Sequence, residues 1–176
     1  MNHQLENKNN VITRGIAMNK PTNKPLTHPD VHFPPPVLFA VFIALGWGLQ
    51  TLIALPNFTM PFHGFLGGEF IVAGLGIVVW SATEFKRHKT TIMPHKASSA
   101  IISSGPFKYS RNPIYFAFSM IQLGAAILLT NLWILLLLIP ALLIMSKFVI
   151  EREEAFLTQE FGQPYIDYKK QVRRWI

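Results

Sequence analysis

The chain has 176 residues, half of them hydrophobic and 14% charged, with no cysteine, a formal charge of +7 and a positive mean hydropathy. So much apolar surface excludes disorder over most of the length, and the missing cysteine excludes a disulfide scaffold and a thiolate metal site. The 16 Lys/Arg and 9 Asp/Glu fall mainly outside a few long apolar runs, which points to a small integral membrane protein of one domain.

Residues 1–36 are rich in Asn, Lys and Pro and contain no apolar signal-peptide core. They are expected to form a disordered cytoplasmic arm, with Met18 an alternative start and Pro34, Pro35 and Pro36 a rigid lead into the first helix. Four apolar runs follow, at 37–55, 65–83, 114–129 and 132–150. A helix needs about 20 mostly apolar residues to cross the hydrocarbon core. The third run is somewhat short, and Pro140 predicts a kink in the fourth. The expected fold is therefore an all-α membrane protein over 37–176 with about four transmembrane helices. The last two form a hairpin, followed by cytoplasmic or interfacial helices.

The charges give the orientation. Lys8, Arg14, Lys20 and Lys24 precede the first run, six Lys/Arg lie in 84–113, and six more lie from Lys147 to Arg174. The connections 56–64 and 130–131 carry none. With four spans every basic residue falls on one face, which the positive-inside rule assigns, with both termini, to the cytoplasm. Two or three spans would scatter them. The basic charge is then explained by orientation and by anionic headgroups, not by nucleic acid, for which no basic stripe interleaved with exposed aromatics is present.

The outer face offers little chemistry. The cytoplasmic face has a 30-residue loop, and loops of that length in compact proteins are usually functional. It ends in Gly105-Pro106-Phe107-Lys108-Tyr109-Ser110-Arg111-Asn112-Pro113-Ile114-Tyr115, two turn signals enclosing cations and aromatics. An interfacial anchor and a binding loop both fit this composition. The tail is more informative. Read as a helix continuing the fourth span, Glu151–Phe161 puts Ile150, Leu157 and Phe161 on one face, with Glu153 and Glu154 straddling it. Carboxylates so placed need a cation: Arg111, a neighbouring Lys, or the cationic part of a ligand. After Gly162, a second amphipathic helix groups Tyr165, Tyr168, Val172 and Ile176, with Trp175 at the edge and Lys170, Arg173 and Arg174 pointing elsewhere. It is expected to lie on the anionic leaflet and close the cytoplasmic face.

Other signals are weak. His88 and His95 match no helical metal pair, no histidine box is present, and no metal site is expected. No GxGxxG follows a strand. Gly64, Gly67, Gly68, Gly74 and Gly76 suit close helix packing, and an oligomer is compatible with such spans. Glu69, near a span end, is expected to snorkel to water.

The loop motif, the two-span hairpin, Glu153-Glu154 and then Phe161-Gly162-Gln163-Pro164-Tyr165 with Tyr168 together resemble the isoprenylcysteine carboxyl methyltransferase family, to which the phospholipid N-methyltransferases are related. The resemblance covers about residues 90–176. It implies a membrane methyltransferase that uses S-adenosylmethionine in a pocket facing the cytoplasm of a bacterial inner membrane, on a lipophilic or membrane-associated acceptor. By position, Ser99, Ala100, Ile101 and Ile102 would line the cofactor through backbone contacts, and Phe107 replaces an aromatic that is usually Tyr. Asn112, Pro113, Ile114 and Tyr115 stand for a His-Pro-x-Tyr motif, and Glu153 would bind the cofactor's α-amino group. Arg111 and Glu154 are the expected catalytic pair, the first steadying a negative group and the second a cationic one. Asn112 cannot titrate near neutral pH as the usual His does. Val149 stands where the eukaryotic prenylcysteine enzymes carry an Arg facing the substrate carboxylate, so the acceptor stays open among carboxylate, amine and thiol.

In-line methyl transfer to an anionic acceptor mainly needs positioning and exclusion of water, which suits a face without cysteine or a placed histidine. Three other readings are a phospholipid or small-thiol methyltransferase, a membrane NADPH-dependent reductase of the sterol-reductase type, and a non-enzymatic four-span scaffold. Cofactor binding separates methyltransferase, reductase and scaffold.

Overall fold

A computed structural model describes residues 34–58, 60–88 and 101–176. Among them there is no strand, as the apolar runs required. The expected N-terminal arm, apart from its last residues, together with Ser99 and Ala100, lies outside the described residues.

Helix α1 spans Pro35–Leu52 and starts on two prolines, whose missing N–H groups have no intrahelical partner in a first turn anyway. Helix α2 spans His63–Arg87, 25 residues, about 37 Å at 1.5 Å per residue. That exceeds the hydrocarbon thickness, so its basic end projects past it. Helix α3 is Pro113–Leu128. The chain then runs helically from Leu132 to Phe161 as α4 (Leu132–Leu136), α5 (Leu138–Ile144), a π-helical segment Met145–Ile150, and α6 (Glu151–Phe161). Helix α7, Gln163–Gln171, completes the order. Among the described residues three helices are long and apolar enough to cross a membrane, Pro35–Leu52, His63–Arg87 and Leu132–Phe161. The fourth expected span, α3, has 16 residues, about one turn below the usual crossing length.

Local chemistry explains the breaks. After α3, Thr130 takes a left-handed φ of 48°, the Asn131 N–H reaches Ala126 O at 2.9 Å and the Thr130 N–H reaches Ile127 O at 3.1 Å. These are the paired bonds of a Schellman stop. Asn131 then caps α4 by accepting the Ile134 N–H at 3.0 Å. Pro140 has no N–H for the Leu136 carbonyl, and regular α geometry is interrupted at Leu137.

Helices α2 and α3 pack backbone to backbone. A Cβ on Gly67 would lie 2.6 Å from Leu128 N, and one on Gly124 2.7 Å from Gly67 O, so only glycine permits this approach. Gly74 faces the Ala117 carbonyl in the same seam, whereas Gly64, Gly68 and Gly76 face nothing within 4 Å. The packing role expected for all five glycines thus holds for two of them. Glu69, in the second turn of α2, is exposed. A buried cluster of Phe39, Ala141, Met145, Val149 and Ile150 ties α1 to the π segment, with Tyr115, Phe118 and Trp175 packed against it. Val149 is therefore core.

Candidate active site

The Gly105–Asn112 loop is held from two sides. On the α2 side, Glu84 is 4% exposed and accepts the Ser104 hydroxyl at 2.7 Å and Arg87 Nη1 at 3.2 Å. His88 Nε2 lies 3.0 Å from the same hydroxyl. Gly105 has φ of 57°, and a Cβ there would lie 2.6 Å from Glu84 Cγ. The motif glycine is thus required twice, by its conformation and by the glutamate against it. A 3-10 turn, Gly105–Lys108, follows. It buries Phe107, whose ring meets Phe85 edge-on with centroids 5.3 Å apart. Sequence reasoning missed Glu84. The available signal was the stripe Gly67, Gly74, Ser81, spaced by seven, which reaches Glu84 three residues later on the same face.

On the other side, Tyr168 of α7 donates its hydroxyl to Phe107 O at 2.7 Å. The Arg111 N–H donates to Arg173 O at 3.0 Å, and Asn112 Nδ2 donates to Arg174 O at 2.9 Å. Of the cations considered for Glu153 and Glu154, Arg111 is the one that meets Glu154, Nη2 to Oε1 at 3.3 Å. A second cation joins it: Arg174 donates from Nε to Oε1 at 3.1 Å and from Nη2 to Oε2 at 2.8 Å. This corrects the expectation that Arg174 points elsewhere. Helix α7 stops at Gln171 with Val172 already extended, so a helical wheel does not apply beyond it. For the same reason Ile176 is 63% exposed, and Trp175 joins the cluster of α1 and the π segment. The apolar face of α7 turns inward: Tyr165, Tyr168 and Val172 pack on Ile101, Leu157 and Phe161.

Glu153, one residue before Glu154, accepts the Tyr115 hydroxyl at 2.7 Å. Tyr115 comes from the first turn of α3 and Glu153 from the first turn of α6, directly after the π segment. Such segments shift helical phase and are frequent at functional sites. Ile102, Asn112 and Pro113 are buried, and Ile101 and Ile114 half-buried. The structure therefore brings together Phe107, Arg111, Asn112, Tyr115, Glu153 and Glu154 of the sequence-predicted set. Arg111 Nε and Nη1 are buried without a hydrogen-bond partner among the described residues. Tyr165 sits beside this cluster; burial first, then the Glu154 charge, pushes its phenol up to about 12, with Arg111 opposing. Among the described residues no group of three His, Cys, Asp or Glu is placed to hold a metal.

Chemically, one end of the bundle combines a carboxylate oriented by a phenol, a guanidinium with two unused donors, and an aromatic-lined loop fixed from both sides. A protein of Haemophilus influenzae known only as uncharacterized is 36% identical to the chain over 63 residues, all of that protein and 36% of this chain. No solved structure matches. The sequence pattern of the phospholipid methyltransferase family matches residues 62–164, from the base of α2 to the second residue of α7. That family is related to the isoprenylcysteine carboxyl methyltransferases. More than half of the chain carries this pattern, on helices long and apolar enough to cross a membrane, and the protein belongs to the phospholipid methyltransferase family.

Proposed function

We propose that the protein transfers a methyl group from S-adenosylmethionine to a lipophilic acceptor at the cytoplasmic face of the membrane. The observation that carries this reading is the pairing of opposite chemistries at one end of the bundle. Glu153, oriented by Tyr115, suits an ammonium, and Arg111, with Nε and Nη1 unpartnered, suits a carboxylate. An amino-acid moiety presents both. The cofactor, when bound, supplies an electrophilic methyl group. Tyr115 holds Glu153 in one rotamer, and Tyr168 and Glu84 hold the loop that carries Phe107 and Arg111. Burial of these groups keeps water from competing for the methyl. Asn112 donates to Arg174 O and, as an amide, cannot itself take a proton from the acceptor. An acceptor that arrives as a carboxylate or thiolate needs no base; an amine must first give up its ammonium proton to solvent, which frees the lone pair that attacks the methyl as the C–S bond breaks and S-adenosylhomocysteine leaves. The concentration of basic residues on this face supports a cytoplasmic orientation, and the apolar helix surfaces give a lipophilic acceptor a lateral approach.

Calorimetric titration of detergent-purified protein with S-adenosylhomocysteine tests the reading. Saturable binding is expected, weakened about tenfold by Glu153→Gln, the scale of one charge-assisted hydrogen bond. A folded sample that binds nicotinamide cofactor instead, or neither, would contradict it.

A further inference from the structure

Glu154 receives more cation than it needs. The Arg174 fork engages both of its oxygens, at 3.1 and 2.8 Å, an arrangement that satisfies a carboxylate on its own. Arg111 adds one longer contact of 3.3 Å, while its other two nitrogen positions are buried and unpartnered. Leaving guanidinium donors buried and unpaired is unfavourable, and turning the Arg111 fork onto Glu154 would relieve it. Arg174 stands in the way of that turn. It is itself fixed, because its own carbonyl accepts from Asn112 and the carbonyl of Arg173 accepts from the Arg111 N–H.

We infer that Arg174 is a positioning residue: by occupying both oxygens of Glu154, it leaves Arg111 Nε and Nη1 available for an anionic group of the bound ligand. The inference rests on the reading above, in which Arg111 receives that group. Arg174 lies beyond the stretch that matches the family. Glu154 becomes the counter-ion that anchors Arg174 and tethers Arg111, in place of the ligand contact expected from the sequence.

The test is a suppressor experiment on the full chain, with S-adenosylhomocysteine affinity as the readout. Arg174→Ala should weaken binding about tenfold, because Arg111 turns onto the vacated carboxylate. Adding Glu154→Gln to Arg174→Ala should recover most of that loss, because a neutral amide holds Arg111 weakly. A brace that merely stabilises the fold predicts the reverse, with the double variant no better than Arg174→Ala alone; that result overturns the inference. So does Arg174→Ala binding within twofold of the parent. Where Arg174→Ala does not elute as folded protein, Arg174→Lys gives the same comparison, with an expected loss of about threefold that Glu154→Gln again reverses. A parent that binds no S-adenosylhomocysteine overturns the cofactor reading and this inference together, whereas a binding parent without suppression overturns this inference alone.

Discussion

Glu84 and Glu154 are both buried carboxylates, and each secures one end of the same loop, yet their surroundings differ in kind. Glu84 meets a serine hydroxyl and an Arg87 side chain that is 75% exposed. Solvent screens such an ion pair, and exposed pairs contribute little. What Glu84 supplies is shape, since its Cγ lies where a Gly105 side chain would go. Glu154 instead meets two guanidinium groups, one of them with a side chain only 11% exposed. There the charges are poorly screened, and each group depends on the others. The α2 end of the loop is a mechanical seat, and the α6 end is an electrostatic one. Chemistry is expected where the charges are least screened.

That contrast sets the order of expected effects. Glu154→Ala strips two guanidinium groups of their common counter-ion and should cost about 3 kcal/mol, read as a large fall in melting temperature; a loss below that of Glu84→Gln would reverse the comparison. Gly105→Ala forces a left-handed conformation on a residue with a Cβ and pushes on Glu84. It should cost about 2 kcal/mol, and trimming the glutamate with Glu84→Ala should partly relieve it. The Tyr165 phenol, raised to about 12, binds its proton more tightly in the folded state. Its contribution is complete below about pH 10, the ordinary value, and is lost as pH rises towards 12. Melting temperatures taken across this range should decline less steeply in Tyr165→Phe. At the small end, Arg87→Ala should change stability by less than about 0.5 kcal/mol; a larger loss would show that the Glu84 end is electrostatic after all.

Much of this was legible in the sequence, for identifiable reasons. Hydrophobic runs fix where membrane helices lie, and the expected 37–55, 65–83 and 114–129 fall within four residues of α1, α2 and α3 at every boundary. Glu154 was readable in part, because a carboxylate on an apolar helix face demands a cation, and Arg111 was one of three candidates for it. Arg174 was not readable. Its position depends on where α7 stops, and neither proline nor glycine marks Gln171 as an end. Glu84 was hidden because it closes an apolar run next to Lys86 and Arg87, where a charged residue looks like an ordinary boundary. The π segment leaves no periodic trace either, since the run from Leu132 to Met145 is apolar on every side and gives no phase against which a shift would show.

The most direct test of the central claim is photo-cross-linking of methyl-labelled S-adenosylmethionine to the purified protein, followed by peptide mapping. The opposite end of the bundle has its own hollow of mixed character, lined by Trp47, Gln50, Thr51, Asn57, Leu129 and Asn131, and serves as an internal comparison. Label on peptides covering residues 101–115 or 150–168, competed away by S-adenosylhomocysteine, is the result this account predicts. Competable label on the peptides of that opposite hollow would contradict it.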